Sequence, residues 1–391
     1  MNKVHQILPA SASVAMGDFS DIVAALRHSG RPLFFLGAGA RDAMARYADT
    51  FTSLAEKLNV PVATSVRGKG IFPESHHLSL GVFGLAGSAA AREYVESGID
   101  TLVVIGSRLG EWATGGRAGN LAKARRIIHV DMDPSVFGQV IPAHHVIVGD
   151  AADFMQGLHA AAERFSPSAH PVERKHVSPS RPVLTHGDRA GSPRMAPSLL
   201  INELSQCLQP GTDVFVDMGN CTAWAARDLV IDPPSRIFIP TGLASMGWSC
   251  GAVIGGKIAR PDRRALALVG DGAFLMNGSE VATAARQRVG AVYLVLDDGY
   301  LGTVNHGESW QTGSDLNDSF YAAGADNLPG FASALGAHTV RITSAGQLRQ
   351  QLPKAFDRAD EHGIPQVLVA AVDHLEAPPY NDRFTVVAGD R

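Results

Sequence analysis

Short runs of valine, isoleucine and leucine recur along this chain, and a segment with helical spacing follows most of them. Residues 32–36 (PLFFL), 101–105 (TLVVI), 265–270 (ALALVG) and 292–296 (VYLVL) are examples with hardly a polar side chain. Strands that are buried on both faces have such continuous apolar runs, and parallel strands need helical crossovers. The sequence therefore predicts an α/β fold with two doubly wound parallel-sheet domains.

The runs fall into two blocks, separated by residues 166–195, which are rich in Pro, Ser, His and Arg and have no apolar period. Such a composition cannot bury enough surface to offset its ordering entropy, so we interpret it as a linker. The predicted division is an N-terminal tail (1–20), a central Rossmann-like domain (21–165), the linker (166–195) and a second α/β domain (196–391).

Charge and cysteine content narrow the classes of function. The formal net charge is −4 with both signs interspersed, which argues against a nucleic-acid surface. No apolar run approaches the ~20 residues that a membrane-spanning helix needs, and the N-terminus lacks the pattern of a signal peptide. The three cysteines are scattered without a CxxC pattern, which is typical of a reducing compartment. We therefore expect a cytoplasmic protein without a membrane or nucleic-acid partner.

Carboxylates follow two of the apolar runs. Asp271 comes directly after one run, and Asp298 closes another 27 residues further along, a spacing that accommodates a helix and the next parallel strand. Both then lie at carboxyl ends of strands, where open α/β sheets bind ligands. Paired carboxylates suit Mg²⁺ beside a diphosphate, and the flanking Gly270 and Gly272 let the backbone approach a phosphate. A GDG triplet alone fits an ordinary turn, but the second acidic strand end favours a metal site.

The stretch GDGAFLMNGSEVATA…VLDDGYLGTV resembles the thiamine diphosphate motif, in which GDG is followed further along by two asparagines. The likeness is to the superfamily of acetohydroxyacid synthase, benzoylformate decarboxylase and pyruvate oxidase. Segments DVFVDMGNCTAWAARDL and TGLASMGWSCGAVIGGKIA of the second block also resemble it, as does LGVFGLAGSAAAREYVESGIDTLVVIGSRLGE of the first. The resemblance therefore covers most of the chain.

This resemblance implies that residues 196–391 form a diphosphate-binding domain for thiamine diphosphate and Mg²⁺. Met246 would be the wedge that bends the cofactor, and the backbone at Ala244 would accept from its 4′-amino group. The metal ligands would be Asp271, Asp298 and the backbone carbonyl of Tyr300. The implied cofactor-binding residues are Gly219, Asn220, Ala244, Met246, Gly270, Asp271, Gly272, Ala273, Asp298, Tyr300, Leu301 and Gly302.

The implied reaction is decarboxylation of a 2-oxo acid, followed by protonation or by ligation to a carbonyl acceptor as in acetolactate synthases. In this superfamily a Glu from an N-terminal pyrimidine-binding domain activates the cofactor, and no such domain precedes residue 21. We therefore expect a separate pyrimidine-binding-domain subunit to supply the Glu in a hetero-oligomer, a heterotetramer, in which this chain alone has negligible turnover. The family's two asparagines are Asp297 and Asp298 here, so cofactor binding is expected to depend more heavily on the metal.

Weaker signals leave other interpretations open. His306 is a second candidate catalytic residue beside Met246, in a loop that would line the substrate pocket. The segment 37–43 (GAGARDA) is a weak dinucleotide fingerprint without a properly spaced third Gly or a following acidic residue, so an NAD-dependent dehydrogenase is less favoured. Whether FAD or ADP occupies the central domain is left open, as is a non-catalytic or regulatory paralogue. The adjacent His76 and His77 are predicted to point apart and to be poor metal ligands.

Overall fold

The structure, a computed structural model, describes residues 19–165, 194–322 and 327–380. Apart from their last two positions each, the predicted tail (1–20) and linker (166–195) lie outside the described residues. The chain forms two compact units, the first containing residues 19–165 and the second the described residues from 194 onward. The exact domain limits set out above stay predictions.

The first unit is a parallel sheet flanked by helices. Its strands are β1 (Pro32–Leu36), β2 (Val62–Thr64), β3 (Ser79–Val82), β4 (Thr101–Ile105), β5 (Arg126–Asp131) and β6 (His145–Val148). They lie in the order β3-β2-β1-β4-β5-β6, so the direction of winding reverses between β1 and β4. Its helices are α1 (Ser20–His28), α2 (Arg41–Leu58), α3 (Ala89–Glu96), α4 (Glu111–Thr114), α5 (Ala118–Ala122) and α6 (Ala151–Glu163).

The second unit is another parallel sheet with helices. Its strands are β7 (Asp213–Val216), β8 (Arg236–Phe238), β9 (Ala265–Gly270), β10 (Val292–Asp297), β11 (His338–Ile342) and β12 (Gln366–Ala371). Their order is β11-β12-β10-β9-β7-β8. Its helices are α7 (Pro197–Cys207), α8 (Asn220–Asp228), α9 (Trp248–Ala259), α10 (Asp271–Asn277), α11 (Glu280–Gln287), α12 (Gly302–Thr312), α13 (Leu328–Ala334) and α14 (Ala345–His362).

Burial explains why the strands could be recognised in the sequence. Every residue of β1, β4, β7, β10 and β12 is buried, as expected of parallel strands with both faces covered. Each unit encloses its own apolar core, around Phe34 and Phe51 in the first and around Phe274 and Tyr293 in the second. The predicted fold class is therefore confirmed. Within the described ranges, no helix has both the length and the apolar character needed to cross a bilayer.

Register brings the ends of three neighbouring strands to one edge of the second sheet. Gly270 of β9 pairs with Leu296 of β10, and Val216 of β7 pairs with Leu268 of β9. The residues that follow β7, β9 and β10 therefore emerge side by side. This edge is the carboxyl-terminal one, where open parallel sheets place their ligands.

Candidate cofactor-binding site

The carboxyl groups of Asp271 and Asp298 meet at this edge. Asp271 begins α10 directly after β9, and its two oxygens accept from the backbone N–H of Gly272 (2.6 Å) and of Gly299 (2.6 Å). Because Gly299 belongs to the loop after β10, the side chain of Asp271 spans from one strand end to the next. Asp298 accepts from the N–H of Tyr300 at 2.9 Å, which folds the same loop around its carboxyl group.

Both carboxyl groups lie where a second negative charge is costly. Burial raises the pKa of Asp271, and it raises the pKa of Asp298, which the neighbouring Asp271 raises further. A divalent cation between them would offset this repulsion, since hard carboxylate oxygens are the ligands that Mg²⁺ prefers. The residues present therefore fit a metal. The backbone carbonyl of Tyr300 as a third ligand stays a prediction.

The neighbouring Asp297 has a different partner. Its side chain forms an ion pair with Arg341 of β11 (Nη2 to Oδ2, 2.8 Å), and its carbonyl accepts from Arg194 at 3.0 Å. Arg341 therefore compensates the charge of Asp297 on the side of the sheet toward β11. Only Asp298 of this acidic pair is available to the crevice beside Asp271.

The turn after β7 lies against the same loop. Gly219 has a φ of +141°, a conformation that L residues rarely adopt, and Asn220 begins α8. The side-chain oxygen of Asn220 accepts from the Thr303 hydroxyl at 2.8 Å. A β-carbon at Gly302 would lie 2.6 Å from Asn220 Nδ2 and 3.0 Å from Asp298 Oδ2. These contacts place Asn220, Gly302 and Asp298 in one crevice, with no room for a side chain at position 302.

The segment before α9 contains Met246, the residue predicted to bend the cofactor. Ala244 has a φ of +62°, and Met246 is 37% exposed. A β-carbon at Gly272 would lie 2.7 Å from Leu301 Cδ2 and 3.8 Å from Met246 Cε, so these three residues converge beside Asp271. Gly270 precedes α10, and Ala273 is buried in its first turn. Several of the residues predicted from the family resemblance, among them Met246, Gly272 and Leu301, thus lie close together, while their contacts with a cofactor stay predictions.

His306 departs from the predicted placement in a loop. It lies within α12, is buried, and its Nε2–H donates to the carbonyl of His374 at 2.9 Å. Burial lowers its pKa, so the ring is neutral near pH 7. The prediction of a loop is wrong because residues 302–312 continue as a helix that packs on residue 374. A catalytic role for His306 stays a prediction.

An open cavity of about 640 Å³ is lined in part by Asp298 and Gly299 of the loop after β10. Tyr300 and His374 line it with their rings 4.3 Å apart, and His374 pairs with Asp318 at 3.1 Å. The loop that carries Asp298, the candidate metal ligand, therefore also borders this cavity. Its walls also include Arg194, a residue of the predicted linker.

Sequence reasoning missed two residues of the crevice, Asp217 and Tyr380. Asp217 follows β7 directly, and its wholly buried carboxyl group accepts three backbone N–H groups. The pattern that singled out Asp271, an acidic residue at a strand end before glycine, is also present in Asp217-Met218-Gly219. Tyr380 donates to the carbonyl of Gly219, and no local pattern in the sequence indicates this long-range contact.

In the first unit, the reversal point between β1 and β4 is the place where a nucleotide would bind. There the turn after β1 touches the turn after β4: Gly39 N–H donates to the carbonyl of Gly106 at 2.9 Å, and a β-carbon at Gly37 would lie 2.1 Å from that oxygen. Strand β2 is followed by Ser65, so its end offers no carboxylate to a ribose. No observation here favours the dehydrogenase interpretation.

A second group of potential metal ligands lies in the first unit. Glu56, His76 and His77 have ligand atoms within 4.8 Å of one another, and the two histidine rings are 4.3 Å apart. The prediction that these rings point apart is wrong, because the segment is folded into turns and is not extended. His76 Nδ1 accepts from the N–H of Leu78, so its proton lies on Nε2 and faces Glu56. Both ring nitrogens of His76 therefore have hydrogen-bond partners within the protein.

Comparisons with known proteins agree with this geometry. Residues 19–158 match the family model for the central domain of thiamine pyrophosphate enzymes, and residues 217–370 match the model for their C-terminal TPP binding domain. Together the two matches cover well over half of the chain.

The chain is also similar to acetolactate synthase large subunits. It is 30% identical to a Mycobacterium tuberculosis protein provisionally named acetolactate synthase large subunit IlvB2, over 95% of this chain and 64% of that protein. It is 29% identical to the acetolactate synthase large subunit of Corynebacterium glutamicum, over 87% of this chain and 54% of that protein. It is 27% identical to the acetolactate synthase isozyme 1 large subunit of Escherichia coli, over 86% of this chain and 58% of that protein. The chain thus spans little more than half the length of these relatives, but it carries both matched domains in order. It belongs to the thiamine pyrophosphate enzyme family.

Proposed function

We propose that this chain binds thiamine diphosphate and Mg²⁺ in its second unit, as the diphosphate-binding part of a 2-oxo acid decarboxylase or carboligase of the acetolactate synthase type. The observation that carries the proposal is the meeting of the Asp271 and Asp298 carboxyl groups beside Asn220 and Gly302. A buried and a half-buried carboxyl group, in a crevice where Gly302 leaves no side chain, suit a metal ion with a bound diphosphate.

Each part of the crevice then has a task. Asp271 and Asp298 hold the cation, and Gly219 and Asn220 face the diphosphate. Met246, beside Gly272, supports the bent form of the cofactor. When bound, the cofactor supplies a thiazolium carbon that acts as nucleophile and electron sink. The protein contributes by orienting that group and by holding its charged tail at the sheet edge.

We further propose that a separate pyrimidine-binding-domain subunit completes the site and supplies the catalytic Glu, within a heterotetramer. Apolar side chains near the crevice support this idea. Leu243 is 94% exposed, Val304 is 53% exposed, and Met246 and Leu301 are also partly exposed. Such groups beside a polar site are typical of a surface that a partner covers.

Cofactor binding is tested by titrating the purified full chain with thiamine diphosphate, with and without Mg²⁺, in a calorimeter. Binding is expected to need Mg²⁺ and to be lost in Asp298→Ala. The matched control is Asp297→Asn, which alters the adjacent carboxylate that pairs with Arg341 and is expected to keep the Mg²⁺ requirement. Equal binding by wild type and Asp298→Ala would remove Asp298 from the site.

Completion by a partner is tested by measuring 2-oxo acid turnover with the chain alone and after mixing with a pyrimidine-binding-domain polypeptide. Negligible turnover alone and enzyme-like turnover on mixing are expected. Enzyme-like turnover by the chain alone would contradict the split site. Metal-dependent cofactor binding without turnover in either arrangement would indicate the regulatory paralogue.

A further inference from the structure

The wholly buried carboxyl group of Asp217 connects the turn after β7 with the segment before α9. Asp217 follows β7, and its own N–H donates to the carbonyl of Leu268 in β9 at 2.8 Å. Its Oδ1 accepts from Gly247 N–H at 2.7 Å and Met218 N–H at 2.9 Å, and its Oδ2 accepts from Ser249 N–H at 2.7 Å. Both oxygens are therefore used by backbone donors from two separate stretches of chain.

The two stretches are those that the cofactor would touch. Met218 leads into the Gly219–Asn220 turn, while Gly247 and Ser249 end the segment that carries Ala244 and Met246. Residues 242–246 of that segment are largely exposed, whereas Gly247 and Ser249 are buried. Asp217 is thus the anchor at the point where the exposed segment enters α9. Hydrogen bonds to an acidic group at a helix N-terminus are among the stronger ones, because the free N–H groups and the helix dipole both favour it.

We propose that Asp217 is a positioning residue for cofactor binding, which holds the Met246 segment in place beside the Gly219–Asn220 turn. This inference rests on the proposed function, since it concerns the same crevice. Without the anchor, the segment would populate its binding-competent form only part of the time. Apparent affinity falls in proportion to that fraction, so a fraction of about one tenth weakens binding about tenfold.

Asp217→Asn is the variant that tests the anchor. An asparagine has nearly the same size, but in either orientation its NH₂ group faces a backbone N–H, and at least one hydrogen bond is lost. The matched control is Asp213→Asn. Asp213 is equally buried at the opposite end of β7, where it pairs with Arg260 and Arg263. Both variants remove a buried carboxyl group next to or at an end of β7, but only Asp217 contacts the Met246 segment.

The first measurement needs no cofactor. Hydrogen exchange of the full chain is followed over residues 241–249, with β9 as the internal reference. In Asp217→Asn, exchange at Gly247 or at Ser249 is expected to rise about tenfold or more relative to β9, because whichever amide faces the new NH₂ group loses its acceptor. In Asp213→Asn the ratio is expected to stay at the wild-type value.

The second measurement is the dissociation constant of thiamine diphosphate with saturating Mg²⁺. It is expected to rise about tenfold in Asp217→Asn and to stay within about twofold of wild type in Asp213→Asn. Wild-type exchange and affinity in Asp217→Asn would overturn the inference. If the wild-type chain itself does not bind the cofactor, the proposed function fails, while the exchange measurement still decides whether Asp217 holds the segment.

If Asp217→Asn does not fold, Gly247→Ala tests the same point with Asp217 intact. Gly247 has a φ of +79°, and an added β-carbon would lie 2.6 Å from Asn277 Nδ2. Either Asn277 or the turn must therefore shift, and we expect the strained backbone at position 247 to weaken the hydrogen bond from its N–H to Asp217. The same rise in exchange and in dissociation constant is expected, and its absence in a folded Gly247→Ala chain would equally contradict the proposal.

Discussion

The hydroxyl of Tyr380 donates a hydrogen bond to the backbone carbonyl of Gly219 at 2.8 Å, across 161 residues of chain. Tyr380 is buried and is the last residue that the structure describes, whereas Gly219 forms the turn between β7 and α8. The contact therefore ties the C-terminal segment to the turn that is proposed to face the diphosphate. Since Gly219 has a φ of +141°, this turn gains from an external restraint.

Tyr380→Phe is expected to weaken cofactor binding without unfolding the chain. The ring stays buried, but the turn loses one hydrogen bond, worth about 1 kcal/mol, or about fivefold in affinity. The dissociation constant of thiamine diphosphate with Mg²⁺ checks the effect, and the melting temperature is its control. A Tyr380→Phe chain with wild-type affinity would show that the turn holds its shape unaided.

Asp298→Asn introduces the residue that the family usually has at this position. The amide oxygen can still bind the cation, while one negative charge beside the diphosphate disappears. We expect the loss of affinity on removing Mg²⁺ to be smaller than in wild type by about tenfold, since less repulsion then needs to be offset. Titrations in Mg²⁺ and in a chelator give the ratio for both chains, and equal ratios would refute the assigned role of the extra charge.

Gly302→Ala is expected to disturb the crevice through a single methyl group. The new β-carbon would meet Asn220 Nδ2 at 2.6 Å and would push that side chain from Thr303. Cofactor affinity should fall about tenfold or more, since the crevice must be rearranged before it binds. Gly346→Ala in α14 is the control, because its β-carbon meets nothing within 4 Å and the added helix propensity stabilises by about 0.5 to 1 kcal/mol. Equal affinities in the two variants would contradict the prediction.

The ion pair between Glu203 and Arg349 predicts a pH-dependent contribution to stability. Arg349 holds both oxygens of Glu203, at 2.6 and 2.7 Å, and this contact lowers the pKa of that carboxyl group. A lowered folded-state pKa means that the contribution is complete above the unfolded value of about 4.3 and is lost as pH falls through the folded value. Because Arg349 is well exposed and its charge is screened by solvent, we expect this contribution to stability to be small.

Arg349→Met should therefore lower the melting temperature at pH 7 by about 2 to 4 °C, and the difference from wild type should shrink below about pH 4. Thermal unfolding of both chains between pH 7 and pH 3 measures this. Lys354→Met, on the same helix, controls for the loss of a positive charge. A difference that does not change with pH would show that Arg349 stabilises by packing alone.

The fold could be predicted because burial on both faces is visible in composition. Strands such as β9 and β10 are apolar along their whole length, and their spacing leaves room for a helix. Strand β3 was not predicted, because Ser79–Val82 is short and contains Gly81 with a φ of +73°. Its register with β2 is also irregular, and such a strand has no apolar pattern of its own.

The site could be predicted only as far as local patterns reach. Asp271 and Asp298 stood out because each closes a strand. The different partners of Asp297 and Asp298 could not be foreseen, since the difference depends on Arg341 in a strand that follows more than 40 residues later in the chain. The helical position of His306 was also missed, because the weakly patterned segment 302–312 becomes a helix through its packing on residue 374.

The partial exposure of Met246 means that its oxidation can report whether the crevice is covered. Peroxide converts accessible thioethers to sulfoxides at rates that follow exposure. Met246 is 37% exposed beside Gly272, and Met132 in the first unit is 68% exposed. A small molecule or another polypeptide that covers the crevice would slow the oxidation of Met246 and leave that of Met132 unchanged. Mass spectrometry of peptides that carry each residue would therefore report whether the crevice is occupied.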